Sequence, residues 1–426
     1  MSPWPTSINN SYGSRRKLNN NSSLFSFEST ESSKKDKISC MKLIIRTENQ
    51  LNFDWLKKAL GENYDLEFQL IPEPGNSDFH NLPIKIKNVL KLDKTDFIIS
   101  TVRNDREEPI ISLEITKSAP LTQHIEQRMA RIISAAEEGV IPIFICPKIL
   151  KTGDKEYNFS TKYFNLFQKI GTINKVPCVI YYYPDEDGVL IDEDDYPGCP
   201  KLNDDTRKFT EFIKNILLES EKFSELTFNY FNNQKIKEEF DKQHLLSEGK
   251  KYDVGRMGTC NIINTEELKD YITKYSENES LWIDKTFDKI SKKILQRKRS
   301  LIFSTETKDS RLFAHAGDPY VGMLSAIDYA FCRIGRTVDD RKINLIFIPR
   351  NNDDSYLHKV FSPEGYNHYY KNKCPFKKRS IGFDVDDQFE ISHHLQYGCV
   401  YTKNRPLKVY SHFCDMMVFR DAVLTF

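Results

Sequence analysis

The chain has 426 residues, 39% of them hydrophobic, and 62 Lys and Arg against 61 Asp and Glu, for a net charge of +1. That length holds two or three domains with their own cores, and the near balance of charge excludes a protein drawn to nucleic acid by its overall field. Any such binding must rest on local basic patches. No stretch is apolar for the roughly 20 residues that a membrane-spanning helix needs. Nine cysteines without a Cys-x-x-Cys pair exclude a zinc knuckle and point to reduced thiols in a cytoplasmic setting. The glycine-rich phosphate loops of ATP- and NAD-driven enzymes are missing as well.

Residues 1–40 are rich in Ser and Asn, lack the apolar run of a signal peptide, and read as a disordered leader. The folded part is expected from Met41, which competes with Met1 as the start of the native chain. Lys42 to Arg46 reads as a strand, Asn52 to Leu60 as a short helix and Leu66 to Ile71 as a strand.

The most informative stretch runs from Asp96 to Cys146. Asp96-Phe-Ile-Ile-Ser and Pro109-Ile-Ile-Ser-Leu-Glu114-Ile-Thr116-Lys117 are isoleucine-rich strands, separated by a polar turn at Arg103 to Glu108. Asp96 and Glu114 then lie on neighbouring strands. A hard cation such as Mg2+ takes oxygen ligands and keeps several waters, so two such carboxylates meet its needs. An ion held there activates water and neutralises charge on a phosphate oxygen, which is phosphodiester hydrolysis. The competing reading of any such pair is two solvated strand-end acids.

Ile125, Met129, Ile132 and Ala136 follow at helical spacing, with Thr122 as a cap. Gln127, Arg128 and Arg131 lie off that apolar stripe. Ile141-Pro-Ile-Phe-Ile-Cys146 is a further buried strand.

This order of strand, strand, helix and strand resembles the core of the PD-(D/E)XK nuclease superfamily, which includes many restriction endonucleases. The resemblance covers roughly residues 55–148. It implies that Asp96 is the first acid, Glu114 the second, and that Thr116 stands where the family usually has lysine. Glu114 and Thr116 share one strand face and Lys117 points to the other, unless the strand ends there and frees it. Gln127 and Arg128 would sit near the scissile phosphate, as a glutamine and a basic residue do on this helix in some members.

A second segment echoes the first. Leu301 to Lys308 is strand-like and ends in Glu306-Thr-Lys308, with lysine in the family's usual slot. Tyr320 to Ile334 reads as a helix and Ile343 to Pro349 as a strand. The sequence shows no acidic strand upstream of Glu306, because 285–299 reads as a basic helix. Either the chain carries two nuclease-like units, one degenerate, or the Glu306 unit is the true site.

Two basic clusters are candidates for phosphate contacts. Lys292, Lys293, Arg297, Lys298 and Arg299 crowd the end of that helix, and Lys371, Lys373, Lys377, Lys378 and Arg379 interleave with Tyr369, Tyr370 and Phe376. Lys and Arg meet phosphates and aromatic faces stack on unpaired bases. The plain alternative is a lysine-rich surface. Four acids at 192–195 and the pair His393-His394 lack ligand spacing.

The expected fold is α/β: a restriction-endonuclease-like mixed-sheet core flanked by helices at 41–220, a helical connector at 221–299, and a second α/β unit at 300–426 for target recognition or a second nuclease-like core. The expected function is a cytoplasmic, Mg2+-dependent DNA endonuclease, of type II restriction character and acting alone or as a homodimer. Two other readings stand beside it: a nuclease-fold module that binds nucleic acid without catalysis, favoured by Thr116, and a protein-interaction module, compatible with the neutral charge.

Overall fold

A computed structural model describes residues 41–72, 77–116, 122–147, 149–152, 155–158, 162–183, 199–202, 204–221, 230–245, 259–275, 290, 292–306, 344–350, 411–418 and 423–426. The leader, Lys117, Lys308, Lys371, Lys373, Lys377, Lys378, Arg379, the 320–334 helix, the 192–195 acids and the histidine pair lie outside these residues, as do the side chains of Gln127 and Glu306.

The chain opens with β1 (Lys42–Thr47), α1 (Gln50–Leu60), β2 (Asp65–Leu70), and the short helices α2 (Ser77–His80) and α3 (Ile84–Val89). Then follow β3 (Phe97–Arg103), β4 (Arg106–Ile115), α4 (Thr122–Glu137) and β5 (Ile141–Pro147). A small ribbon, β6 (Ile149–Thr152) and β7 (Lys155–Asn158), leads to α5 (Lys162–Asn174), β8 (Val179–Tyr183), α6 (Asp204–Glu221) and α7 (Gln234–Leu245). Six strands form one mixed sheet in the order β2-β1-β3-β4-β5-β8. Strand β3 runs antiparallel to both β1 and β4, whereas β4, β5 and β8 are mutually parallel.

Local chemistry accounts for these elements. Asn49 is extended and its side chain accepts the Asn52 N–H at 2.9 Å, which caps α1; Gly61 at φ +80° ends it, a conformation that favours glycine. The inner face of α1 puts Trp55 beside Phe97 and Phe209, with both ring centroids 5.8 Å away, and the indole N–H donates to the Pro200 carbonyl at 2.8 Å. Strand β5 is buried throughout and apolar along its length, as a parallel strand covered on both faces must be.

The β3–β4 turn is tighter than the sequence implies. Asn104 and Asp105 both take positive φ, 49° and 60°, and close a two-residue hairpin in which Arg103 pairs with Arg106. Strand β4 therefore begins before Pro109. That proline has no N–H to donate and sits at an irregularity where Ile99 pairs with Ile111 but Ser100 with Pro109, leaving Ile110 as the extra residue.

The rest of the described chain forms a second sheet from β9 (Thr259–Asn264), β10 (Arg299–Glu306), β11 (Asn344–Arg350), β12 (Met416–Val418) and β13 (Val423–Thr425), in the order β13-β12-β11-β10-β9. The helices α8 (Leu268–Tyr275) and α9 (Lys292–Leu295) precede β10. Two expectations change here. The 221–299 stretch is more than a helical connector: α7 packs on the first sheet, with the side-chain Oε1 of Gln243 accepting the Ile180 N–H at 2.8 Å, and β9 pairs antiparallel with β10 in the second. Among the described residues the basic stretch before β10 is a single turn of helix, because Arg299 already belongs to the strand.

Candidate functional site

Asp96 ends the loop that leads into β3, and Glu114 lies near the end of β4. Since β3 and β4 are antiparallel, with Phe97 opposite Leu113, the first acid comes beside the end of the strand that carries the second. The Asp96 Oδ2 accepts the Ile115 N–H at 2.8 Å, which fixes the carboxylate against β4. Glu114 is 1% exposed.

Both carboxylates meet on one atom. The Nη1 of Arg131 lies 3.3 Å from Asp96 Oδ1 and donates a short hydrogen bond to Glu114 Oε1. The two oxygens thus cannot be farther apart than about twice the longer contact. The Nε of the same guanidinium donates to Asp93 Oδ2 at 2.9 Å, and the other oxygen of Asp93 accepts the Lys94 N–H at 2.8 Å. One helical turn earlier, Arg128 Nε stands 3.3 Å from Glu114 Oε1. The Thr95 hydroxyl is 3.5 Å from Glu114 Oε2 and 2.9 Å from the Ser112 hydroxyl.

Three carboxylates face two guanidinium groups in this cluster. Burial pushes the Glu114 carboxyl well up, and Arg131 only partly offsets it; Asp96 is raised by burial too, against Arg131 and the Ile115 N–H. Burial alone would lower the Arg131 pKa, but Asp93, Glu114 and Asp96 together raise it, so the guanidinium stays charged. Arg128 acts in the same direction as Arg131 on both acids, and burial still outweighs the two. The donors of the acid pair are hard oxygens, which fits a divalent cation such as Mg2+. Among the described residues no group of three or more His, Cys, Asp or Glu is spaced to hold an ion, so most of the coordination sphere would fall to water and substrate oxygens, as it usually does for magnesium.

The other sequence candidates fall as follows. Arg128 is at the acids. Thr116 is 2% exposed, and its N–H donates to the Ile145 carbonyl at 3.0 Å, continuing the β4–β5 ladder. Gln127 lies in α4 and Glu306 ends β10 opposite Arg350. Strand β9 supplies the upstream antiparallel strand that the sequence did not reveal for the Glu306 unit, yet its residues, Thr259 to Asn264, include no acid. Lys292, Lys293, Lys298 and Arg299 are exposed and Arg297 half-buried; they run from α9 to the start of β10, far from Asp96 and Glu114 in sequence.

Asp93 and Arg131 belong to the cluster and were not singled out as site residues by sequence. Arg131 carried a signal, its position three residues beyond Arg128 on the same helix face. Asp93 carried only its closeness to Asp96. Cys146 and Cys178 are buried, and burial pushes both thiols well up, so neither supplies a thiolate nucleophile. No helix of the described residues is long and apolar enough to cross a membrane. No protein-family model matches the chain, and neither the curated proteins nor the solved structures give a match.

Proposed function

We propose that the chain is a Mg2+-dependent endonuclease that hydrolyses phosphodiester bonds in DNA, with a restriction-endonuclease-like core formed by the first sheet. The observation that carries this reading is the convergence of Asp96, just before β3, and Glu114, near the end of the neighbouring β4, on a single point now held by a cationic nitrogen. The order β3, β4, α4, β5 around that point supports it, because α4 returns Arg128 to the same acids.

In this reading Asp96 and Glu114 hold the cation, and the Ile115 N–H keeps the Asp96 carboxylate turned toward Glu114. Arg128, with 20% of its side chain open to solvent, meets the phosphate at the edge of the site. When bound, magnesium supplies water activation and neutralises charge on the scissile phosphate. Thr116 is neutral and buried, so it lends no positive charge. That burden falls on Arg128 and on Lys117. The basic residues Lys292, Lys293 and Arg297 are assigned to DNA backbone contacts outside the site.

The test is cleavage of supercoiled plasmid by purified protein. Cutting is expected with magnesium chloride and not with EDTA, and Glu114→Ala is expected to abolish it while DNA binding persists. Cutting that survives Glu114→Ala and disappears in Glu306→Ala moves the site to the second sheet. A second reading, a nuclease-fold protein that binds DNA without cutting it, is favoured by Thr116 in the lysine slot. It predicts DNA binding with no cleavage under any of these conditions.

A further inference from the structure

Arg131 divides its guanidinium between two jobs. Its Nε is anchored on Asp93, outside the acid pair, and its Nη1 stands between Asp96 and Glu114. Asp93 is 5% exposed and fixed in turn by the Lys94 N–H. The anchor is thus itself held in place, and one nitrogen lies between the two carboxylates, where they would share a divalent ion. Two buried carboxylates that faced each other as anions would repel, and Arg131 places a positive charge between them without any metal.

We infer that Arg131 is a built-in counter-cation that competes with the divalent ion for Asp96 and Glu114, held ready by Asp93. This rests on the reading of the pair as a cation site and adds the control of its occupancy. When an ion enters, Nη1 gives up both carboxylates while Nε keeps Asp93. The guanidinium then stays within reach of the substrate phosphate without leaving the site. The affinity of the site for a divalent cation is accordingly set by a contest that the chain itself supplies, and the acids stay in register without metal.

Arg131 is a positioning residue in this account, and its test reads binding rather than cleavage. Thermal unfolding of the full chain is followed over a magnesium chloride titration in the wild type, Arg131→Gln and Arg131→Lys, with sodium chloride at matched ionic strength as the control. Without magnesium, Arg131→Gln should melt below the wild type, because the pair has lost its counter-charge. With magnesium it should recover, and the concentration giving half of the stabilisation should fall about tenfold or more, the factor corresponding to one charge-assisted hydrogen bond. Arg131→Lys keeps the charge but cannot span Asp93 and both acids with a planar fork, so its half-point should fall by less and in the same direction. Should Arg131→Gln fail to fold, the lysine variant decides alone.

Stabilisation of the wild type with an unchanged or higher half-point in the variants overturns the competition and leaves the cation site standing. Absence of magnesium-specific stabilisation in the wild type and in every folded variant overturns both.

Discussion

Glu137, at the last residue of α4, shows how single side chains tie the described parts together. Its carboxylate meets His412 Nε2 at 2.7 Å and Lys91 Nζ at 2.9 Å. Burial pushes this carboxyl up, but His412 and then Lys91 more than reverse that and bring it to about 2. A carboxyl lowered on folding stabilises the protein fully above its unfolded value, about 4.3, and loses that contribution as pH falls through the folded value. Melting temperatures of the wild type and Glu137→Gln should therefore differ most near about pH 5 and converge toward about pH 2; a gap that stays constant over that range would contradict the assignment. At this scale the closeness of Asp96 and Glu114, though not their role, was legible, because a strand's two-residue period and the turn between them fix which residues can meet. Arg131 was less so. The helical period shows that it leaves the apolar stripe, but whether a long side chain off that stripe reaches solvent or curls back to an acid depends on how α4 lies on the sheet.

The elements were legible where one face is strongly apolar. Strands β1, β2, β5, β10 and β11 and helices α1 and α4 appear within a few residues of where periodicity puts them, while β9 was hidden in a charged, Gly-bearing stretch. Its six residues, Thr-Cys-Asn-Ile-Ile-Asn, hold only two strongly apolar side chains, and Ile262 is 62% exposed, so no alternation advertises a buried face. The turn at Asn104 and Asp105 is shorter than the polar run of Arg103 to Glu108 implies, because Arg103 and Arg106 to Glu108 are strand residues with charged side chains. One of these, Glu107, is anchored: its carboxylate takes both Nε and Nη2 of Arg46, at 2.8 and 2.6 Å. For α1 the decisive contact is Trp55, fully buried against Phe97 at the start of β3. Trp55→Ala should cost about 3–5 kcal/mol in urea unfolding, and Trp55→Phe less, since it keeps most of the packing and loses the bond to Pro200. A negligible effect of Trp55→Ala would mean that α1 does not brace β3 and the loop bearing Asp96.

Across the molecule, one buried cluster draws on residues from both 41–220 and 300–426. Leu301, Phe413, Cys414, Met417 and Leu424 join the same buried cluster as Trp55 and the residues of β3 to β5, while Ile302, Ile346, Met416 and Val423 form a separate one on the opposite face of the second sheet. The second sheet thus presents one face to the first unit, and His412 adds a polar link to α4, the helix that carries Arg128 and Arg131. Periodicity reveals that a strand has an apolar face but not which partner covers it, so this junction lay beyond the sequence. The proposed sharing of a divalent cation by Asp96 and Glu114 can be seen directly. Anomalous diffraction from crystals of the full chain grown with manganese chloride would locate the ion, manganese being a hard, oxygen-seeking substitute for magnesium. One strong peak is expected at about 2.0–2.2 Å from a carboxylate oxygen of each residue, with Nη1 of Arg131 displaced. A peak beside Glu306 instead, or an acid pair still closed on Arg131 in saturating manganese, would contradict it.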